Sequence, residues 1–127
     1  MKRNIRRIIC ILGAVMCLMM ATMAASAQTI IFNVTYPNDV YSYAAKKADS
    51  EQRFYVTGTS FSRSDIDLYC YSQQLQDGSV ISNTVAINRY NPSKNAAYQK
   101  YAEPDLLYQL VTNASVVGFN VEGRYTP

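Results

Sequence analysis

The stretch Ile66 to Ile87, "IDLYCYSQQLQDGSVISNTVAI", alternates apolar and polar residues on both sides of an Asp-Gly pair. That pattern leaves few folds open. Asp77-Gly78 is a strong hairpin signal, because both central residues of a type I′ turn need positive φ. Folding the chain there pairs residues whose numbers sum to 155. Cys70 then faces Val85 and Leu68 faces Ile87, with Ile66 on their side. The other face pairs Tyr69 with Ala86 and Tyr71 with Thr84. A slip of one residue would move the whole apolar set to the wrong face, so the pattern itself specifies the register.

The flanking sequence has the same period. "TIIFNVTY" puts Ile30, Phe32, Val34 and Tyr36 on one face and Asn33 and Thr35 on the other. Pro37-Asn38-Asp39 then turns the chain. Residues 40–48 suit either strand or helix, and are read as a strand running to a turn at Asp49-Ser50, before a further strand in "RFYVTGTS". In the tail, "DLLYQLVT" and "VVGFNVEGRYTP" flank Asn113-Ala114-Ser115 and read as a second hairpin, with Val117, Phe119 and Val121 facing one way. "NPSKN" reads as a loop after Tyr90. Seven or eight short strands between turn signals predict an all-β chain, an antiparallel β-sandwich or Greek-key barrel.

The first 27 residues read as an address. Lys2, Arg3, Arg6 and Arg7 precede the apolar run Ile8 to Met20, which is short for a membrane span. Ala25-Ser26-Ala27 then fits signal peptidase, placing the cut before Gln28. The domain expected is therefore 28–127, about 100 residues, one domain in size, with a secreted, extracellular location and no membrane span after cleavage. Of 12 Lys+Arg and 9 Asp+Glu, four basic residues lie in the signal, so the mature chain carries eight against nine. Such a balance lacks the basic footprint of a nucleic-acid binder.

Cys10 and Cys17 leave with the signal, so Cys70 has no partner for an internal disulfide. On the face with Ile66, Leu68, Val85 and Ile87 it is expected to act as a small buried hydrophobe. A thiol there has a raised pKa and is inert. The alternatives are a nucleophile or a disulfide to a second chain.

The chain has no histidine. That removes Ser-His-Asp and Cys-His arrangements and the usual zinc ligand sets. Asp65-x-Asp67 is the remaining close acidic pair, open in principle to glycosidase or calcium chemistry, though it also suits the start of a strand. No catalytic residue, metal or cofactor is expected. Tyr41 with Tyr43, and Tyr69 with Tyr71, are i, i+2 pairs that share a strand face. They form either an aromatic platform for sugar rings or a protein partner, or a cover of cross-strand aromatics over the sheet.

The signal, the "FYVTGTSF" strand and the closing "VEGRYTP" resemble small exported β-domain proteins of Gram-positive bacteria that end in V-x-G-x-aromatic-x-P. Here the ending reads Val121, Gly123, Tyr125, Pro127. The resemblance implies a bacterial, exported β-domain and no particular activity. The expected function is surface binding, in the cell envelope or facing a host, of an unknown protein or carbohydrate ligand. A small secreted antagonistic toxin and a carboxylate-based hydrolase are the alternatives.

Overall fold

A computed structural model of the chain describes residues 28–127. The expected signal, with Ala25 and Ala27, lies outside the described residues. Eight strands follow in order: β1 (Ile30–Thr35), β2 (Ala45–Lys46), β3 (Arg53–Phe61), β4 (Leu68–Gln74), β5 (Val85–Ile87), β6 (Ser93–Ala97), β7 (Leu107–Asn113) and β8 (Asn120–Thr126). They form two antiparallel four-stranded sheets, the first ordered β1-β8-β3-β6 and the second β2-β7-β4-β5. The protein is a β-sandwich. Among the described residues no helix is long and apolar enough to cross a membrane.

The strand order follows from one long ribbon. β1 pairs with β8, β2 with β7, β3 with β6 and β4 with β5, as in a single antiparallel hairpin about 100 residues long folded at its midpoint. Rolling that ribbon lays β8 beside β3 and β7 beside β4, and both contacts are made. Two Greek keys in two sheets with this order are a jelly roll. Partner numbers sum to 155 at both extremes, in Leu68 with Ile87 and in Ile30 with Tyr125.

The register expected for the central hairpin holds at Leu68–Ile87, Tyr69–Ala86 and Cys70–Val85. Nearer the tip it changes. Gln73 faces Ile81, and the Ser82 N–H donates to the Ser72 carbonyl, so one extra residue lies between Ser82 and Val85. Asn83 and Thr84 together lie opposite Tyr71, as at a β-bulge, so the simple Tyr71–Thr84 pair is replaced by two residues facing one. The turn differs too: neither Asp77 nor Gly78 has positive φ. Asp77 opens the turn instead, its carbonyl accepting the Val80 N–H and its carboxylate accepting the Ser79 N–H and hydroxyl. This is an Asx turn, which Asp favours for its side-chain oxygen.

Three other expectations fail. Ser93 to Asn95 belong to β6 rather than to a loop. β7 and β8 do not form a hairpin: β7 lies in the second sheet and β8 in the first. Residues 114–119 carry the chain between sheets, with Gly118 at φ 81°, and Val117 is left in solvent while Phe119 and Val121 are buried. Residues 40–48 do not form the continuous strand expected there: they hold an isolated bridge at Tyr41 and the two-residue β2, and no helix.

Inside, Phe32, Val34, Phe54, Val56, Leu68, Ile87, Leu110, Phe119 and Val121 form an apolar core with Cys70, which is fully buried. Gly58 and Gly123 face each other across β3 and β8. The Phe61 ring covers the first, and Phe32, paired with Gly123, covers the second. The glycines of "FYVTGTSF" and "VEGRYTP" thus leave room for two aromatic rings. A Cβ on Gly123 would strike the Thr57 carbonyl oxygen and sit 2.6 Å from Phe32 Cζ. Gly123→Ala is expected to cost ~3 kcal/mol, the upper range for overpacking, because rigid backbone is in the way. Gly58→Ala, which meets only the end of a ring, should cost less. Urea melts of the two variants check the order.

Buried hydroxyls join the sheets. Ser72 Oγ lies 2.6 Å from the Tyr125 hydroxyl and 2.7 Å from that of Tyr98. Burial pushes both phenols above their ordinary pKa, and pushes the Cys70 thiol up as well. Their stabilising effect is intact below the unfolded values, near 9 for the thiol and 10 for the phenols. It is lost as pH rises from there toward the folded values, since only the unfolded chain ionises in that window. The expected outcome is loss of stability from about pH 9 upward, with tyrosinate absorbance of Tyr98 and Tyr125 rising only as the protein unfolds. In the same titration Cys70 should resist alkylation in the native protein and react at once in urea. Fast native labelling would contradict the buried thiol.

Candidate functional site

The second sheet turns one side of β4 inward and the other to solvent. Leu68, Cys70, Ser72 and Gln74 are buried, so Tyr69, Tyr71 and Gln73 point out. Strand pairing builds rungs across that outer face. Asn113, Tyr69 and Ala86 share one rung, Tyr41, Val111 and Tyr71 the next, and Gln109, Gln73 and Ile81 the third. None of these nine side chains is charged.

Val111 marks the centre. It faces outward, yet only 8% of its surface is exposed, because Tyr41 flanks it on one side and Tyr71 on the other. Tyr69 remains 48% exposed beside them. The tyrosines that the sequence presents as two separate i, i+2 pairs therefore converge. Three of them, Tyr41, Tyr69 and Tyr71, lie on adjacent rungs of one face. Tyr43, 86% exposed, stands at its margin.

That margin opens into a cleft of about 690 Å³ between β1 and residues 39–43. Ile31, Asn33, Thr35 and Asn120 form one wall, and Asp39, Tyr41 and Tyr43 the other. A side-chain network stiffens the first wall: Asn120 Nδ2 donates to Asn33 Oδ1 at 2.6 Å and to Thr35 Oγ1 at 3.0 Å, and Asn33 Nδ2 donates to Glu122.

The acidic pair has other employment. Asp65 takes two bonds from Arg63, which holds its carboxyl below the usual carboxylate range, and Asp67 accepts from Asn88 Nδ2 at 2.8 Å. Both stand at the approach to β4, as their position before the strand suggests. Among the described residues, no group of three or more His, Cys, Asp or Glu side chains could hold a metal. Cys70 has its Sγ 3.7 Å from the Leu68 carbonyl, inside the core.

No family model matches the chain, and the curated proteins contain no match to it.

Sequence reasoning places each tyrosine pair on a strand face but misses Val111, the residue that joins them. Its only local signal is membership of the apolar run Leu110-Val111, which reads as core. The structure makes that reading testable. Val111→Ala should cost ~1–2 kcal/mol, as for two buried methyl-sized groups, although the residue is on the outer face. Gln109→Ala on the next rung should stay within ~0.5 kcal/mol, as for an open surface position. Equal melts for both variants would mean that the tyrosines do not cover Val111.

Proposed function

We propose that this chain is an exported, non-enzymatic binding protein that takes a neutral carbohydrate chain on the outer face of its second sheet. The observation that carries the reading is the uncharged face of Tyr41, Tyr69 and Tyr71 around Val111, rimmed by the amides of Gln73, Gln109 and Asn113. Phenol rings offer flat apolar area with a hydrogen-bonding tip, and amides both donate and accept. Sugar rings present the same alternation of C–H faces and hydroxyls. A charged ligand would find no counter-charge on these rungs. Export is supported by the basic start, the apolar run and the Ala25-Ser26-Ala27 site that precede Gln28, and that route would suit a role in the cell envelope or toward a host. Jelly rolls serve as lectin domains among other uses, so the fold is compatible with this reading by analogy.

The mature protein, 28–127, should bind at least one neutral polysaccharide in a glycan array and by calorimetry. Tyr69→Ala, which removes an exposed ring, should weaken that binding about tenfold, on the scale of one aromatic contact, with the melting temperature little changed. Tyr41→Ala should weaken it similarly while also lowering the melting temperature, because it uncovers Val111. Binding indifferent to both substitutions, or none at millimolar sugar, would overturn the reading. Tyrosine-dependent capture of an unglycosylated protein would move the face to a protein partner.

A further inference from the structure

The two sides of the sandwich are closed differently. On the β5–β6 side, residues 81–83 bond in both directions: Ser82 N–H to the Ser72 carbonyl, Gln99 N–H to Ile81 and Asn83 N–H to Ala97. Backbone hydrogen bonds seal that seam. On the other side, β1 is the outer strand of the first sheet and faces the cleft.

The direction of its free groups can be read from its neighbours. Tyr36 N–H donates to Phe119, and the Tyr36 carbonyl accepts from Gly118, so even-numbered residues point at β8. The Thr35 carbonyl instead accepts from Asp39 N–H. By antiparallel alternation, the N–H and C=O of Ile31 and Asn33 face the open edge, where no backbone or side-chain partner meets them among the described residues. Ile31 is 79% exposed on that edge.

Natural edge strands are blunted by charge, proline, a bulge or a covering loop. Along β1, from Gln28 to Tyr36, no residue is charged and none is proline, and its pairing with β8 is unbroken. The chain that runs beside it bonds its edge only at the ends, Asp39 N–H to the Thr35 carbonyl and Lys46 N–H to Gln28 Oε1, and leaves Ile31 and Asn33 facing the cleft. In a symmetric contact every residue meets the same surface, so any charge would lie near its own copy. An uncharged strand is compatible with itself in a way that most of this surface is not.

We infer that β1 pairs with β1 of a second copy of this chain, antiparallel about a two-fold axis, with Ile31 of each copy opposite Asn33 of the other. In that register each Ile31–Asn33 pair exchanges both of its N–H···O bonds, and Thr29 meets Thr35. Shifting it by two residues either way breaks the mutual Ile31–Asn33 pairing, leaving one of the two opposite its own copy and the other opposite a threonine. The two-fold stands normal to the sheet, so the outer faces of both second sheets point the same way. The inference does not rest on the carbohydrate reading, but it would give that face two parallel copies, and avidity with them.

Sedimentation of the mature protein over a concentration series is expected to show a monomer–dimer equilibrium. Ile31→Pro removes an edge N–H and crowds the edge without touching the bonds to β8, so it should leave the far-UV spectrum and melting temperature near wild type and weaken the dimer at least tenfold. Should that variant fail to fold, Ile31→Lys supplies the test, by placing a charge on the edge. The register has its own readout. Mixed Ile31→Cys and Asn33→Cys proteins should oxidise to a heterodimer, while neither alone should cross-link. A monomer at millimolar concentration, a dimer indifferent to Ile31→Pro and Ile31→Lys, or open-ended oligomers would each overturn the proposal. So would a monomer that takes up an added extended peptide along β1, which would assign the edge to a foreign strand.

Discussion

A single serine hydroxyl sits where the two sheets meet. Ser72 is on β4 of the second sheet, Tyr125 on β8 of the first, and Tyr98 just after β6, and all three oxygens share one hydrogen-bonded cluster in the core. Buried hydroxyls without partners cost ~1–3 kcal/mol each, so each member depends on the others staying in place. The cluster therefore acts as a spacer as well as a bond. It holds β4 and β8 at the separation two phenol rings require, and the surrounding Phe54, Phe32 and Leu110 pack to that distance. Lys47, also fully buried, extends the polar interior: its ammonium pairs with Asp49 at 2.9 Å and lies 5.6 Å from the Tyr98 ring centre. No buried side-chain nitrogen or oxygen among the described residues is left without a partner.

The rolled ribbon explains which parts of the fold are legible in the sequence. Alternation is local, so the β4–β5 register at Cys70 and Val85 is readable from residues 66–87 alone. The turn is less so. Asp-Gly suits a type I′ turn, but Asp also suits an Asx turn, and the bulge between Ser82 and Val85 lets the second win while the outer register is kept. The tail hairpin fails for a different reason. Asn113-Ala114-Ser115 is as good a turn between sheets as within one, and nothing near it records that β8 already has β1 and β3 as neighbours. Gly118 is the available hint, since positive φ there suits the arch between sheets, whereas a hairpin turning at Asn113-Ala114-Ser115 would leave it within a strand. The burial of Lys47 has no local signal, because its partners come from the turn at Asp49 and from the chain around Tyr98.

The same limit applies to the candidate site. Period two suggests that Tyr41 shares a face with Tyr43, and Tyr69 with Tyr71, but it cannot say that the segment at Tyr41 and β4 both flank β7. That depends on pairings 30 or more residues apart in sequence, Tyr71 with Val111 and Tyr41 with Val111. Composition points to the residue type on the face. With no histidine and its acidic pair tied to Arg63 and Asn88, the chain's largest uncommitted resource is tyrosine.

β4 links these levels. Its inward side carries Leu68, Cys70 and Ser72, which fix it to the core. Its outward side carries Tyr69, Tyr71 and Gln73. A strand held on one face by a hydroxyl cluster and on both edges by β5 and β7 cannot shift to suit a ligand, so the phenol rings are presented at fixed spacing. For the carbohydrate binding proposed above, preorganisation of this kind would reduce the ordering that binding requires. The position of the tyrosines is thus a consequence of Ser72 and Cys70 on the opposite side of the strand. A substitution in the core that lets β4 slip by one residue would turn Tyr69 and Tyr71 inward and remove the face along with the register.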